Sequence, residues 1–216
     1  MPARAVLEPP AALALLAVLQ EARSLGFLGP GPVEAQLQRA LAFSEAEERP
    51  PELAVDLGTG GGLPGLVLAL LWPSSQWLLI ESSERRCRWL VACIGRLGIT
   101  ERCEVLGSRA EEAGRGHHRG TAPLVTARSF APPGPTAECA APFLRVGGHL
   151  VVSSPPEGTG SRWPTDGLAR LGLGPPASLR VATCAGPVSL STMACVLPCP
   201  ETYPRRVGIP FKRPLF

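Results

Sequence analysis

Residues 55–65 read VDLGTGGGLPG: an apolar run closing on an acid, then five glycines within eight positions. The preceding LAVD places Asp56 at the C-terminal end of a strand, and Pro64 falls where a first helical position belongs. The glycines therefore occupy a strand-to-helix turn. In open α/β sheets that turn binds ligands, beside a helix N-terminus whose free N–H groups favour negative charge. Glycine is required wherever φ is positive or something touches the main chain.

Outward from this stretch, residues 52–57, 76–81, 102–107, 122–127, 148–153, 178–184 and 188–197 are strand candidates. Helix candidates lie at 64–72, 84–97 and 135–145. Alternating strands and helices predict an α/β fold, Rossmann-like and doubly wound, with a mostly parallel seven-stranded sheet. Only PVS follows Gly186 before the last strand, so the final two strands should form an antiparallel hairpin. Upstream, 11–26 and 33–48 carry apolar residues at helical spacing, split by GFLGPGP and closed by Arg49-Pro50-Pro51. The expected organisation is a helical appendage over 1–50, a ligand-binding domain over 51–200 and a basic tail over 201–216. The Gly/Pro/Ser-rich loops 113–121 and 154–165 read as mobile.

The chain has 216 residues, 45% hydrophobic and 18% charged, as suits a soluble globular protein. Its net charge of +3 does not announce nucleic acid. Placement says more: Arg205, Arg206, Lys212 and Arg213 lie in 203–216 with no acid, which leaves the remainder close to neutral. Seven cysteines with no C-x-x-C pair, and three histidines at no zinc spacing, predict reduced thiols and no metal. No apolar run reaches the ~18 residues of a membrane span. The leucine-rich stretch 11–19 follows a single basic residue, Arg4, opposed by Glu8, and lacks an A-x-A site. The expected location is the cytoplasm.

Two registers compete for the glycine turn. Gly60-x-Gly62-x-x-Gly65 fits a dinucleotide fingerprint, but it starts late for a pyrophosphate loop. Asp56-x-Gly58-x-Gly60-x-Gly62 begins at the strand end. In that register the loop resembles the first motif of S-adenosylmethionine-dependent methyltransferases. Glu81 ends the second strand (WLLIE), where an acid can accept both ribose hydroxyls of either cofactor.

Six segments then occur in order: DLGTGGGLPG (56–65), LLIESSERRCRWL (78–90), SRAEE (108–112), VTARSFA (125–131), FLRVGGHLVV (143–152) and YPRRVGIPFKRPL (203–215). Together they resemble the small-subunit ribosomal RNA guanine-N7 methyltransferases, the glucose-inhibited division protein B family. The resemblance covers about half the chain. It implies a class I methyltransferase fold, S-adenosyl-L-methionine as cofactor, ribosomal RNA or the small subunit as partner, and a monomer. It places cofactor contacts at Asp56, Gly58, Gly60, Gly62, Leu63, Glu81, Ala110, Glu111 and Arg128. Arg128 would position cofactor or guanine, and Arg205, Arg206, Lys212 and Arg213 would meet RNA phosphates. No general base is expected, because guanine N7 carries an in-plane lone pair and no proton.

Other residues admit rival readings. Pro198-Cys199-Pro200 mimics the Pro-Cys nucleophile of cytosine-C5 methyltransferases, but it follows the last strand without an activating neighbour. Cys195 and Cys199 read as packing residues, and His117 and His118 as solvated. The chain also departs from the family. Ala40 and Phe43 stand where members carry His and Asp, with only Ser44 kept, and Ser154-Pro155 replaces a Lys-Gly. These departures leave open a methyltransferase with another substrate; the Gly60–Gly65 register leaves an NAD-dependent oxidoreductase, and a non-catalytic RNA-binding protein that keeps the fold is a further reading.

Overall fold

The computed structural model describes residues 7–155 and 162–216. The centre of the 154–165 loop, like Arg4 of the leader reading, lies outside the described residues. Two helices, α1 (Pro9–Ser24) and α2 (Val33–Leu41), precede the sheet. Then follow β1 (Leu53–Leu57), α3 (Gly65–Leu71), β2 (Gln76–Glu81), α4 (Glu84–Arg96), β3 (Cys103–Gly107), α5 (Ala110–Ala113) and β4 (Ala122–Ala127). The chain continues with α6 (Pro133–Ala140), β5 (Leu144–Ser154), α7 (Thr165–Ala169), β6 (Ala177–Thr183), β7 (Gly186–Ala194) and α8 (Ile209–Lys212).

The seven strands are ordered β3-β2-β1-β4-β5-β7-β6. β1 pairs in parallel with β2 and β4, as do β2 with β3 and β4 with β5. β7 runs antiparallel to both β5 and β6. This is the doubly wound sheet with an antiparallel C-terminal hairpin that the alternation of elements predicts. The order reverses at β1 and β4, so the carboxyl ends of these two strands flank a switch point.

The strand period of two splits the core between the faces. On one face Ala54, Leu79, Leu124 and Val151 pack with Leu19, Leu37, Leu66 and Leu90 of α1 to α4. On the other Val55, Leu78, Ile80, Val125 and Leu150 pack with Ala137, Phe143 and Leu168 of the later helical segments. The helices before β1 thus share one core with α3 and α4. Trp72 stacks on Trp77 at 6.1 Å between ring centroids, joining the end of α3 to β2.

The departures from expectation have local causes. The helix expected over 33–48 gives way to a 3₁₀ turn at Ala42–Ala46, where the Ser44 hydroxyl donates back to the Leu41 carbonyl at 2.7 Å. The helix expected over 135–145 likewise becomes a 3₁₀ turn at Ala141–Phe143, because Pro142 has no N–H to continue it. β5 starts four residues before its expected 148, across an irregular register between Ala122 and Leu124 and a positive φ at Gly147. α5, α7 and α8 are one turn each, too short to show a helical period. Among the described residues no helix is long and apolar enough to cross a membrane.

Candidate active site

The glycine turn is held from below by Asp56, which is fully buried at the end of β1. Its Oδ2 accepts the Gly65 N–H at 3.0 Å, and its Oδ1 accepts the Thr126 hydroxyl at 2.8 Å. Burial pushes the Asp56 carboxyl up to about 6, against these bonds and the Arg128 charge. Asp56 therefore supports the loop and is occupied by protein donors.

Gly58, Gly60 and Gly62 all take positive φ, 60°, 57° and 87°. Close approach excludes side chains at others. A Cβ at Gly61 would lie 2.4 Å from Leu28 and 2.9 Å from the Phe27 carbonyl oxygen, and one at Gly65 2.5 Å from Leu79 and 2.8 Å from Asp56. One at Gly58 would sit 2.5 Å from the Phe130 ring. The neighbours that crowd this turn are thus parts of the protein itself, including the breaker between α1 and α2. Leu63 is buried in the core beside α3 and does not face outward.

Glu81 locks the top of the turn. Its Oε2 accepts the Gly60 N–H at 3.1 Å and its Oε1 the Ser83 N–H at 2.8 Å, with Arg86 3.7 Å from Oε2. It is 4% exposed. A carboxylate offers about four acceptor positions, so capacity remains for a further donor.

Gly58, Glu81, Ala110 and Glu111 line one small cavity of about 50 Å³ at the carboxyl edge of the sheet. Phe130 and Phe211 also line it, together with Ile80, Ser82, Ser108 and Arg109. Of the glycine stretch only Gly58 reaches it, which is the opening end of the register beginning at Asp56. Glu111 accepts the Gly208 N–H from the tail at 2.8 Å. Ser129, at φ 56°, turns the chain between Arg128 and Phe130.

Arg128 does not line this cavity. Its Nη2 donates to Gln36 Oε1 at 2.6 Å, and the Gln36 amide donates to the Gly29 carbonyl at 2.6 Å. Burial lowers the Arg128 pKa, while the Asp56 charge raises it. The arginine ties α2 to the end of β4.

The tail residues divide. The Arg205 guanidinium grips both oxygens of the fully buried Glu138, with Nε to Oε1 at 2.9 Å and Nη2 to Oε2 at 2.7 Å. Arg206, Lys212 and Arg213 are exposed. Arg119 donates to the Cys199, Pro200 and Tyr203 carbonyls and pins the segment before them. Two further positions bear on the rival readings. Cys199 is buried, which pushes its thiol up to about 11, so it is not an activated nucleophile. His117 is exposed, but His118 is half-buried, 3.8 Å from the His117 ring, with its Nε2 unpartnered. Among the described residues no group of three or more His, Cys, Asp or Glu could hold a metal.

A sheet of this order with an antiparallel seventh strand, a glycine turn after β1 and an acid closing β2 defines a Rossmann-like class I methyltransferase. Solved structures agree on the fold. A putative O-methyltransferase from Klebsiella pneumoniae superposes with TM-score 0.60 at 15% identity, covering 88% of this chain and 91% of that one. The O-methyltransferase from Bacillus cereus, solved in complex with SAH, gives 0.59 at 15%, covering 85% and 90%. In sequence, residues 33–154 match the family model GidB, rRNA small subunit methyltransferase G. The curated ribosomal RNA small subunit methyltransferase G of Symbiobacterium thermophilum is 36% identical over 191 residues, 85% of this chain and 78% of that protein. Its counterpart in Moorella thermoacetica is 34% identical over 186 residues, 83% and 76%. The chain belongs to the rRNA small subunit methyltransferase G family.

Proposed function

We propose that this protein methylates a guanine N7 of small-subunit ribosomal RNA, using S-adenosyl-L-methionine. The observation that carries the reading is Glu81. It is a buried carboxylate at the end of β2, oriented by the Gly60 and Ser83 N–H groups, opening on a cavity walled by Gly58, Ala110 and Glu111. That donor set fits an adenosyl group. Glu81 would accept the ribose hydroxyls, Gly58 would let the ligand approach the main chain, and Ala110 and Glu111 would stand beside the base. Bound there, the cofactor supplies an electrophilic methyl. A guanine N7, which carries a lone pair and no proton, would need no base from the chain to accept it. The work of the chain is then alignment, which suits a cavity with no histidine in its wall. Arg206, Lys212 and Arg213 would contact RNA phosphates, whereas Arg205 would brace the tail that carries them.

A second reading keeps the cofactor and changes the substrate. Ala40 and Phe43 are buried in the core, and Ser154 shares a hydrogen bond with Ser191 at 2.6 Å. None of the three offers RNA the groups that the family carries at those positions.

Nucleoside mass spectrometry decides between them. Small ribosomal subunits lacking the methyl group are incubated with the enzyme and labelled cofactor. Label on guanine N7 supports the first reading, and label on another base or on protein the second. Tight binding of S-adenosylhomocysteine with no transfer to any substrate would leave a non-catalytic RNA-binding protein.

A further inference from the structure

The cavity beside Glu81 is built like a ligand site but is far too small for one. At about 50 Å³ it is well below the ~300 Å³ at the lower end for small-molecule pockets. Two aromatic rings stand in its wall. Phe130 lies against Gly58 from the end of β4, and Phe211 of α8 meets it edge to face at 5.9 Å between centroids. Phe211 is 43% exposed although it walls the cavity, so its ring has one side on the cavity and another on solvent.

The segment carrying Phe211 is fixed at both ends, and between them Pro210 is buried and the Arg213 carbonyl accepts from Arg205 Nη2 at 2.7 Å, while the outer side faces solvent. Before it, Arg205 grips Glu138, and Arg115 donates to the Pro204 carbonyl through Nε at 3.1 Å. After it, Phe216 packs over Gly134 and Gly167, where an added Cβ would lie 2.5 Å and 2.1 Å from it. Between these anchors Gly208, at φ 80°, donates its N–H to Glu111 on the cavity wall, and Val207, Phe211, Lys212 and Arg213 are all exposed.

We propose that residues 207–213 form a tethered lid, latched by the Gly208–Glu111 hydrogen bond, and that Phe211 is the plug which an adenosyl ligand must displace. This rests on the cofactor reading of the same cavity. A lid closed in the free protein reduces apparent affinity by the fraction of molecules that are open, and it slows entry. An open fraction of ~10% or less would make the lidless protein bind at least about 10-fold tighter.

The test is S-adenosylhomocysteine binding to the full chain by stopped-flow and calorimetry. Phe211→Ala should raise both the association rate and the affinity several-fold, while Val207→Ala, on the same segment, exposed and absent from the cavity wall, should leave both unchanged. Phe211→Leu should fall between. Equal or weaker binding by Phe211→Ala, with wild type binding normally, overturns the lid alone and makes Phe211 a bystander or a stacking contact. Absence of binding in every variant, with NAD bound instead, overturns the cofactor reading with it. Thermal melts of each variant establish that it is folded.

Discussion

Arg205 and Glu138 form a two-pronged ion pair that closes the C-terminal segment onto α6. Both carboxylate oxygens receive a guanidinium N–H, and Oε1 also accepts the Arg205 backbone N–H at 2.8 Å. Glu138 is wholly buried, so the pair's value lies in what its loss would leave behind. Arg205→Ala would strand a buried carboxylate, at a cost of about 3–5 kcal/mol. For a chain of this size the melting temperature should fall by roughly 6–20 °C. Arg206→Ala removes an exposed charge and should change stability by less than ~0.5 kcal/mol. Instead it should reduce the salt slope of RNA binding by about one. Thermal melts and salt titrations of the two variants distinguish brace from phosphate contact, and identical behaviour would refute the division.

Glu81 gives a second expectation. Glu81→Ala removes the acceptor for Gly60 and the one offered to a ribose, so S-adenosylhomocysteine affinity should fall about 10- to 150-fold, for ~1.5–3 kcal/mol of charge-assisted bonding. Calorimetry showing unchanged affinity would reduce Glu81 to a loop support.

How far the sequence reveals the site depends on distance along the chain. The glycine turn and Glu81 were legible because each motif sits at a strand end, and strand ends are marked by apolar runs that stop. Their convergence with Ala110 and Glu111 follows from the parallel order. Arg128 enters the site only through the resemblance, and its protein partner is Gln36, 92 positions earlier, on a helix whose docking no local pattern reports. The tail hides a division for a similar reason. Four basic residues in a run look alike, and only the buried Glu138, 67 positions away, separates Arg205 from the rest. Phe130 and Phe211 lie in VTARSFA and YPRRVGIPFKRPL, but an isolated aromatic carries no periodicity to say what it covers.

The glycine turn allows a paired test of crowding. Gly61→Ala would drive a methyl against Leu28 and the Phe27 carbonyl oxygen, and overpacking of this kind costs about 1–3 kcal/mol. Gly95 lies inside α4 with nothing within 4 Å of an added Cβ, so Gly95→Ala should stabilise by ~0.5–1 kcal/mol. Opposite shifts in melting temperature are expected. A neutral Gly61→Ala would mean that the α1–α2 connection does not rest on the turn.

Asp56 supplies a pH dependence whose sign can be worked out. Its folded pKa of about 6 lies above the ordinary 3.8, because burial penalises the charge. The folded state therefore holds the proton more tightly than the unfolded chain. This contribution to stability is fully present below 3.8, declines as the pH rises through 6, and is constant above. The difference of about two units is worth roughly 3 kcal/mol. Asp56→Asn keeps an acceptor for the Gly65 N–H and can donate to Thr126, but it has no proton to lose. The other groups facing Asp56, namely Thr59, Thr126, Arg128 and Cys103, do not titrate between pH 4 and 7, and the raised Glu47, near 7, is common to both proteins and cancels in the comparison. The wild-type melting temperature should fall relative to that of Asp56→Asn between pH 4 and 6, by roughly 6–12 °C in all, and stay parallel above pH 7. A gap independent of pH would mean that Asp56 reaches water or a stronger cation than the structure shows.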